Sequence, residues 1–347
     1  MKIIINGKFL TQKITGIQRY AREITAELDK LIDKNELEMA IPPETKDIPE
    51  YKNIKVVKVG RFHCQLWENI SLPNYVRKEK GILLNFCNIT PFFVKPGITA
   101  IHDIMYKVNP SDYTILRNRL SRYWHMLQYL YITHHEKKII TVSNFSKHEI
   151  EKYYPASRGK ITVISNAWQH VLQYKENVNW QEKYPFLSDK EFFFSLATLS
   201  KNKNGKWIIE TAKKNPELSF AIAGKYYETE NYNIPSNVHM LGYVSDNDAC
   251  ALIKHCHAFI FPSFYEGFGL PPLEALALGA EVISSNATSL SEVLGNCVYY
   301  IDPNNYDVDI KQIMKNRVAD REEVLSRYSW EKSANELYNL IKTEQKL

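Results

Sequence analysis

The chain alternates short apolar runs with longer segments in which apolar residues recur every three to four positions. In the first half the apolar runs are KIIIN (2–6), IKVVKV (54–59), GILLNF (81–86), ITAIHD (98–103), KIITVS (138–143) and ITVISN (161–166). Runs of this length are typical of buried parallel strands. The segments TGIQRYAREITAELDKLI and 117–135 have the spacing of helices. The pattern therefore predicts an α/β domain wound on both faces of a parallel sheet.

The same alternation restarts in the second half, after the polar, unpatterned segment QYKENVNWQEKYP (173–185). Its apolar runs are EFFFSLAT (191–198), LSFAIAG (218–224), VHMLGYV (238–244), HAFIFPS (257–263) and AEVISS (280–285). Each half is long enough for a core of its own. We therefore predict two domains of similar type, at 1–172 and 173–329, with a ligand cleft between them.

Composition places the 347-residue chain among soluble globular proteins, with 44% apolar and 24% charged residues. The apolar run after Met1 is too short for a signal peptide, and no stretch approaches the ~20 apolar residues that span a bilayer. The five cysteines include no C-x-x-C pair, so neither a disulfide framework nor a zinc site is indicated. We expect a cytoplasmic protein.

Positive charge is concentrated in one part of the chain. The net charge is +5, but nine Lys and Arg stand against three Glu between residues 116 and 160. The helix predicted there carries Tyr123, Trp124, Tyr129 and Tyr131 beside arginines. Two interpretations fit this helix. It could rest on an anionic membrane surface, with the protein peripheral at the inner face of the membrane. Alternatively, its aromatic residues could face the core while its basic residues face solvent. The charge is too diluted, and the motifs too few, for a nucleic-acid-binding protein.

The segment SDNDACALIKHC contains a D-x-D triplet, Asp246-Asn247-Asp248. Another transferase fold uses this spacing to hold a divalent metal. Here Ser245 precedes an apolar run and Asp248 stands three residues later, which is the arrangement of a capping box. We therefore predict a helix that begins after Ser245, and no metal site.

The most distinctive chemistry lies in SFYEGFGLPPLEALALG (263–279). This stretch follows an apolar run, and ligands of open α/β sheets bind beyond the carboxyl ends of strands. Its glycines let a ligand approach the backbone, and its Pro-Pro pair begins a helix whose amides suit a phosphate. Glu266 and Glu274 can each accept hydrogen bonds from sugar hydroxyls, which suits a hexose at one and a ribose at the other.

The E-x7-E pattern in FYEGFGLPPLEALALGAEVISSNATSLSEVLG resembles the donor-site signature of retaining GT-B glycosyltransferases of family 4. Further segments agree with that family in order and spacing: TGIQRYAREI, AIHDI (100–104), VSNFSKHEI (142–150), LSKNKN (199–204) and YSWEKSANELYNLI. The resemblance implies two Rossmann-like domains whose parallel sheets face each other across a cleft. It also implies a terminal helix, about 330–347, that crosses back to the first domain.

The resemblance further implies roles in the second domain. Glu266 should bind hydroxyls of the donor sugar, Glu274 the ribose of the nucleotide, and Lys203 the diphosphate, a role that suits a compact point charge. The amides expected to approach the diphosphate or sugar are those of Phe268, Gly269 and Leu270.

In the first domain, the resemblance implies that the Gly16 amide faces the phosphate and that His102 contacts the sugar at the reaction centre. From the residues alone, His102 is equally a strand-end histidine bonded to backbone, and Gly16 a turn residue.

The chain departs from the family at Asn202, where many relatives have an arginine before the lysine. Asn202 cannot supply a second cation, whereas Lys201 can if the loop bends. Because of this departure, a second interpretation stays open, in which the chain is a non-catalytic partner subunit. A sugar-nucleotide epimerase is a further alternative. A glycoside hydrolase fits less well, because it would need both carboxylates at one bond.

The implied reaction needs no cofactor, metal or protein nucleophile. Lys203 and the loop amides would stabilise charge on the leaving phosphate, which takes the acceptor's proton in a same-face attack that retains configuration. The resemblance to bacterial enzymes of capsule, exopolysaccharide and lipopolysaccharide synthesis implies a UDP- or GDP-hexose donor. It also implies a saccharide or polyprenyl-diphosphate-linked saccharide as acceptor.

Overall fold

The computed structural model of the protein describes residues 2–110, 116–188, 190–196, 200–224 and 233–346. The chain divides into two compact units, one of residues 1–166 and 330–347 and one of residues 167–329.

The boundary predicted at 172/173 therefore lies too late in the chain. Residues 167–172 belong to the second unit, because the indole of Trp168 donates to the carbonyl of Leu325 at 2.9 Å. The segment 173–185, predicted as a bridge, is also part of this unit. Its Trp180 is buried and packs 5.9 Å from the ring of Phe192.

The sheet of the first unit is built from strands that are nearly all buried. They are β1 Ile3–Asn6, β2 Leu37–Ile41, β3 Lys55–Lys58, β4 Ile82–Asn85, β5 Ile98–Ala100, β6 Lys138–Thr141 and β7 Ile161–Val163. Among the described residues they form one parallel sheet in the order β3-β2-β1-β4-β5-β6-β7. The sequence pattern missed β2 because Glu38 interrupts its apolar run. Glu38 is nevertheless buried, with Lys2 at 3.0 Å and Lys55 at 3.2 Å.

Helices connect these strands. They are α1 Gly16–Leu31, α2 Cys64–Leu66, α3 Leu72–Lys78, α4 Met105–Val108, α5 Leu116–His135 and α6 Asn144–Tyr153. Helix α1 buries Tyr20, Ile24 and Leu28, which recur every four residues and so line one face.

The aromatic residues of α5 do not form a single core-facing stripe. Tyr129 is buried, whereas Tyr123 is exposed on the outer side of the helix. Trp124 and Tyr131 lie between these two faces and pack edge-on against the ring of Phe92, at 5.8 and 4.8 Å. The expected core-facing stripe is thus limited to part of the helix.

The second unit repeats the architecture. Its strands are β8 Phe192–Leu196, β9 Ser219–Ala223, β10 Val238–Gly242, β11 Ala258–Phe261, β12 Val282–Ser285 and β13 Tyr299–Ile301. In the described part of the unit they form a parallel sheet in the order β10-β9-β8-β11-β12-β13. The pattern missed β13, which has only three residues and is half-buried at the sheet edge.

The helices of the second unit include the two predicted from capping residues. The set is α7 Trp180–Lys183, α8 Pro185–Ser188, α9 Gly205–Lys214, α10 Asp246–His255, α11 Leu270–Ala277, α12 Leu290–Leu294, α13 Ile310–Ile313 and α14 Glu322–Leu325. The capping box at α10 is confirmed: the Ser245 hydroxyl accepts the Asp248 amide at 3.2 Å, and the Asp248 carboxylate accepts the Ser245 amide.

The last helix, α15 (Trp330–Lys346), belongs to the first unit. It packs on α1, where the Trp330 ring lies 6.0 Å from that of Tyr20. The hydroxyl of Ser333 donates to the carbonyl of Ser165 at 2.8 Å. No described helix combines the length and the apolar character that a membrane span requires.

Both sheets contain a point where strand order reverses, and this positions the candidate site. The reversal lies between β1 and β4 in the first unit and between β8 and β11 in the second. Crevices beyond the carboxyl ends of such strand pairs are the usual ligand sites of open α/β sheets. Residues after β8 and β11 include the motifs singled out in the sequence.

Candidate functional site

Lys203 and Glu266 lie side by side although 63 residues separate them. Lys203 is in the turn before α9, after β8, and Glu266 is in the loop after the neighbouring β11. Lys203 Nζ is 2.6 Å from Glu266 Oε1 and 5.1 Å from the centre of the Phe261 ring. Both side chains retain some exposure, so an entering anion can reach the ammonium. A cation and a carboxylate thus share one strand-end crevice.

The loop between Glu266 and α11 requires a glycine at one position. Gly269 has φ +89°, and a Cβ there would lie 2.3 Å from Leu290 Cδ2. Helix α11 then begins at Leu270, as the double proline predicts. Because prolines carry no N–H, the amides at this end of the helix are those of Phe268, Gly269 and Leu270.

Glu274 has a partner that the sequence did not reveal. His170 Nε2 lies 2.8 Å from Glu274 Oε1, and the histidine is 2% exposed. The segment around His170 is held by Gln169, whose amide donates to the carbonyl of Tyr328 at 2.9 Å. Tyr328 in turn packs edge-on against Phe268, 5.2 Å away. The histidine therefore fixes the orientation of the carboxylate.

Asn202 joins the two loops that carry Lys203 and Glu266. Its side-chain amide donates to the carbonyl of Tyr265, and its own carbonyl accepts the amide of Phe264, each at 2.9 Å. Asn202 is 8% exposed, and its Oδ1 has no hydrogen-bond partner among the residues that the structure describes. The residue that replaces the family's arginine is therefore a buried link between loops.

The backbone of Glu266 is held by the turn after β12. Its amide donates to the Thr288 hydroxyl at 3.0 Å, and its carbonyl accepts the Ser289 hydroxyl at 2.9 Å. Thr288 has φ +56°, which is a strained conformation for a β-branched residue. Strain of this kind persists only where surrounding contacts impose it, and here those contacts orient Glu266.

In the first unit, His102 follows β5 and is 6% exposed. Its Nε2 donates to the carbonyl of Phe86 at 2.7 Å, the backbone-bonded arrangement that the residues alone left open. Burial lowers the pKa of His102 to about 4, so the ring is neutral at pH 7. Tyr20 of α1 packs edge-on against it, 4.9 Å away.

Gly16 is the first residue of α1, after β1, and a Cβ there would meet no described atom within 4 Å. The position is therefore uncrowded among the described residues, at the carboxyl end of the first sheet.

A cavity of about 330 Å³ lies beyond β1 and β4, at the reversal point of the first sheet. Its polar lining combines amides, carboxylates and one amine: Asn6, Lys8, Gln12, Gln18, Glu68, Asn88 and Asp103. Its apolar lining includes Phe9, Phe86 and Tyr106. Glu68 accepts hydrogen bonds from Lys8 and from Asn6, the latter at 3.0 Å. Among the described residues, no cluster of three or more His, Cys, Asp or Glu is arranged to hold a metal ion.

Residues 177–332 match the family model described as "Glycosyl transferases group 1". The chain is 26% identical to O-antigen chain mannosyltransferase B of Escherichia coli, over 99% of this chain and 100% of that one. Its fold matches sucrose-phosphate synthase from Thermosynechococcus elongatus with a TM-score of 0.74 at 15% identity, over 99% and 98% of the two chains. It also matches Anabaena HepE, solved with UDP-glucose, with a TM-score of 0.67 at 14% identity, over 99% and 100%.

The chain is a GT-B glycosyltransferase. Within its second unit, the residues predicted from the motif come together around α11: Lys203, Glu266, Phe268, Gly269, Leu270 and Glu274. The first unit holds the other two, Gly16 and His102, at the carboxyl ends of its strands.

Three residues of this glycosyltransferase escaped the sequence analysis: His170, Thr288 and Ser289. His170 lies 104 positions from Glu274, and no periodicity links the two. Thr288 and Ser289 stand in the quoted motif, but only their backbone contacts with Glu266 reveal a role.

Proposed function

We propose that this glycosyltransferase is a retaining hexosyltransferase of cell-surface polysaccharide synthesis. It takes a UDP- or GDP-hexose as donor and a saccharide, or a saccharide on polyprenyl diphosphate, as acceptor. The observation that carries the proposal is the Lys203–Glu266 pair beside the first turn of α11. Mannose is the first sugar to test, because the E. coli relative is named for mannosyl transfer to an O-antigen chain.

The donor side follows from charge. A leaving nucleotide diphosphate gains negative charge as its bond to the anomeric carbon breaks. Lys203 exchanges its contact with Glu266 for the diphosphate, and the amides at the start of α11 add partial positive charge. Glu266, released from the lysine, accepts hydrogen bonds from the sugar hydroxyls. Glu274, oriented by His170, accepts them from the ribose.

Retention is assigned to a same-face attack in which the leaving phosphate takes the acceptor's proton. Glu266 is engaged through its side chain by Lys203 and through its backbone by Thr288 and Ser289. These contacts suit a carboxylate that orients hydroxyls rather than one that attacks carbon. Gly16 and His102 are proposed donor contacts on the strength of the family resemblance.

A metal-independent reaction is proposed because protein groups can take the place of the cation. Lys203 and the first turn of α11 supply the positive charge. Of the D-x-D triplet, Asp248 already accepts hydrogen bonds from Lys183, Ser245 and Asn177.

The acceptor saccharide is proposed to enter the cavity beside β1 and β4. Carboxylate and amide groups next to aromatic faces suit sugar hydroxyls and the apolar faces of sugar rings. The paired Glu68 and Lys8 offer both an acceptor and a donor of hydrogen bonds.

The donor site is tested by thermal shift and calorimetry with UDP, GDP, ADP and dTDP sugars. One nucleotide class should raise the melting temperature of the second unit by about 5 °C or more at 100 times Kd. Glu274→Ala should abolish the shift. Glu176→Ala is the matched control, since Glu176 also pairs with a histidine, His255, but lies outside the site. If no nucleotide binds the wild type, the silent partner-subunit alternative replaces the proposal.

The reaction itself is tested with the donor that binds. Transfer in the presence of EDTA should continue at an unchanged rate, and NMR of the product should show the anomeric configuration of the donor. An inverted product, or a covalent sugar trapped on Glu266, would refute the proposed route.

A further inference from the structure

The outer face of α5 carries a continuous apolar stripe. Its members are Leu116, Leu120, Tyr123, Leu127 and Leu130, which are 69, 62, 55, 50 and 50% exposed. Their spacing of four, three, four and three residues places them along one side of the helix, over about 21 Å. The opposite side of the helix, with Tyr129 and Ile132, is buried in the core of the unit. The stripe is therefore additional to the apolar surface that the fold uses.

Phe93 continues this apolar surface beyond the helix. It is 86% exposed, the highest value among the large apolar residues described. Its amide donates to the hydroxyl of Tyr131, which is next to Leu130 on α5, at 3.3 Å. The Arg77 guanidinium donates to the carbonyl of Phe93, so a cation lies at the edge of this surface. We call Phe93 and the five stripe residues the α5 face.

The helix that carries the α5 face is positively charged. From Leu116 to His135 the sequence contains three arginines and no Asp or Glu. The first carboxylate after the helix, Glu136, is buried and accepts the hydroxyl of Thr99 at 3.1 Å. The first unit as a whole has 29 Lys and Arg against 19 Asp and Glu, a net charge of +10, whereas the second has 15 against 20, a net charge of −5. Such asymmetry between halves is typical of proteins that meet an anionic surface with one domain.

We propose that the α5 face docks the protein on a bilayer that contains anionic phospholipid. Leucines and aromatic rings enter the boundary between headgroups and acyl chains, while the exposed Arg77 and Arg119 meet the lipid phosphates. This inference concerns a surface of the first unit and does not depend on the donor chemistry proposed for the second.

A second copy of the chain is the competing occupant, because the four-three spacing is also that of a coiled-coil seam. Pairing of two such helices needs opposite charges beside the seam. The helix offers arginines without a single carboxylate, so two copies would bring like charges together. Charge complementarity therefore favours the anionic bilayer.

The test is sedimentation of the full chain with vesicles of phosphatidylcholine, alone or mixed with phosphatidylglycerol. Wild type should bind the anionic vesicles and lose most binding at high salt or on neutral vesicles. Leu120→Gln/Leu127→Gln should weaken binding by about tenfold or more. Arg119→Gln should weaken it about fivefold, the expected effect of one cation near the surface. Far-UV circular dichroism and thermal unfolding of each variant are the check that the first unit folds.

The matched control is Leu172→Gln/Val178→Gln, which removes two exposed apolar side chains from the second unit and should bind vesicles as wild type does. Equal vesicle binding by the α5 double variant and wild type would overturn the proposal. The proposal would also fail if wild type did not bind anionic vesicles. If wild type bound no vesicles but formed a dimer in sedimentation velocity, and the α5 double variant did not, the face would be assigned to self-association instead.

Discussion

At the scale of single residues, Asn202 changes the interpretation of the donor site. The family resemblance casts this position as a missing cation, yet its buried amide holds the carbonyl of Tyr265 next to Glu266. Lys203 on one loop and Glu266 on the other meet at 2.6 Å because Asn202 ties the loops together. Where the family resemblance implies a second cation, this chain has a link that positions Lys203 beside Glu266.

We predict that Asn202→Ala destabilises the second unit and weakens nucleotide-sugar binding. Leaving the carbonyl of Tyr265 without its donor should cost about 1–3 kcal/mol. Looser coupling of Lys203 and Glu266 should lower affinity roughly threefold to tenfold, which corresponds to about 1 kcal/mol. Urea unfolding and calorimetry measure the two effects.

Asn215→Ala is the control for this prediction. Asn215 is equally buried and also donates to backbone, at Thr211 and Val308, but in a part of the second unit away from the loops. It should lose stability and keep nucleotide affinity. If both variants bind nucleotide as wild type does, Asn202 has only a structural role.

Sequence reasoning reaches those site residues whose chemistry is encoded in adjacent positions. The E-x7-E block and the double proline locate Glu266, Glu274 and the start of α11 because loop and helix are one continuous segment. His170 is out of reach, since its contact with Glu274 depends on how a separate turn packs. The same holds for Asn202, whose partner, Tyr265, lies 63 positions away.

At the scale of elements, the start of α10 shows how a buried cap favours the ionised form of an acidic side chain. Burial alone would raise the pKa of Asp248, but hydrogen bonds from Lys183, Ser245 and Asn177 lower it from 3.8 to about 2. The ionised carboxylate is therefore favoured in the folded state. Because the folded pKa lies below the unfolded one, this stabilisation is complete well above pH 3.8 and is lost as the pH falls toward 2.

We predict that Asp248→Asn lowers the free energy of unfolding of the second unit by about 2 kcal/mol at pH 7. The difference from wild type should narrow between pH 4 and pH 2, because only wild type gains a proton there. Urea unfolding at several pH values, with hydrogen exchange of the α10 amides, measures this difference in the free energy of unfolding.

The exposed Asp246 on the same turn supplies the control, Asp246→Asn, which should change stability by less than about 0.5 kcal/mol. An equal effect of both substitutions would mean that helix-end charge, not the buried cap, is responsible.

Most strands were predictable because parallel strands buried on both faces are short, continuous apolar runs. Strand β2 was not predictable, since Glu38 interrupts its apolar run. Burial of this carboxylate is possible because Lys2, Lys55 and Tyr75 contact it. These partners come from separate parts of the chain, so the pattern of one segment does not predict the contacts.

At the scale of the whole molecule, the unit boundary was misplaced for a similar reason. Residues 167–172 have no composition that marks them as part of either unit. Their side chains bind the second unit, through Trp168 and Leu325, Gln169 and Tyr328, and His170 and Glu274. The segment that enters the second unit is thus also the one that orients Glu274.

The end of the chain returns to the first unit, and this division predicts which half a mutation in α15 affects. Leu337 is fully buried in the helix that packs on α1, so Leu337→Ala should cost the first unit about 2–5 kcal/mol. Lys342→Ala, on the same helix, removes an exposed ion pair with Glu36 and should leave the stability of the first unit nearly unchanged. Hydrogen exchange resolved by peptide should show increased opening of α1 and its strands in Leu337→Ala. The nucleotide-induced protection of the second unit should remain close to that of wild type, since Lys203, Glu266 and Glu274, which hold the donor in the proposed function, all lie between 167 and 329. Loss of nucleotide protection in Leu337→Ala, but not in Lys342→Ala, would instead show that the terminal helix acts on the donor site.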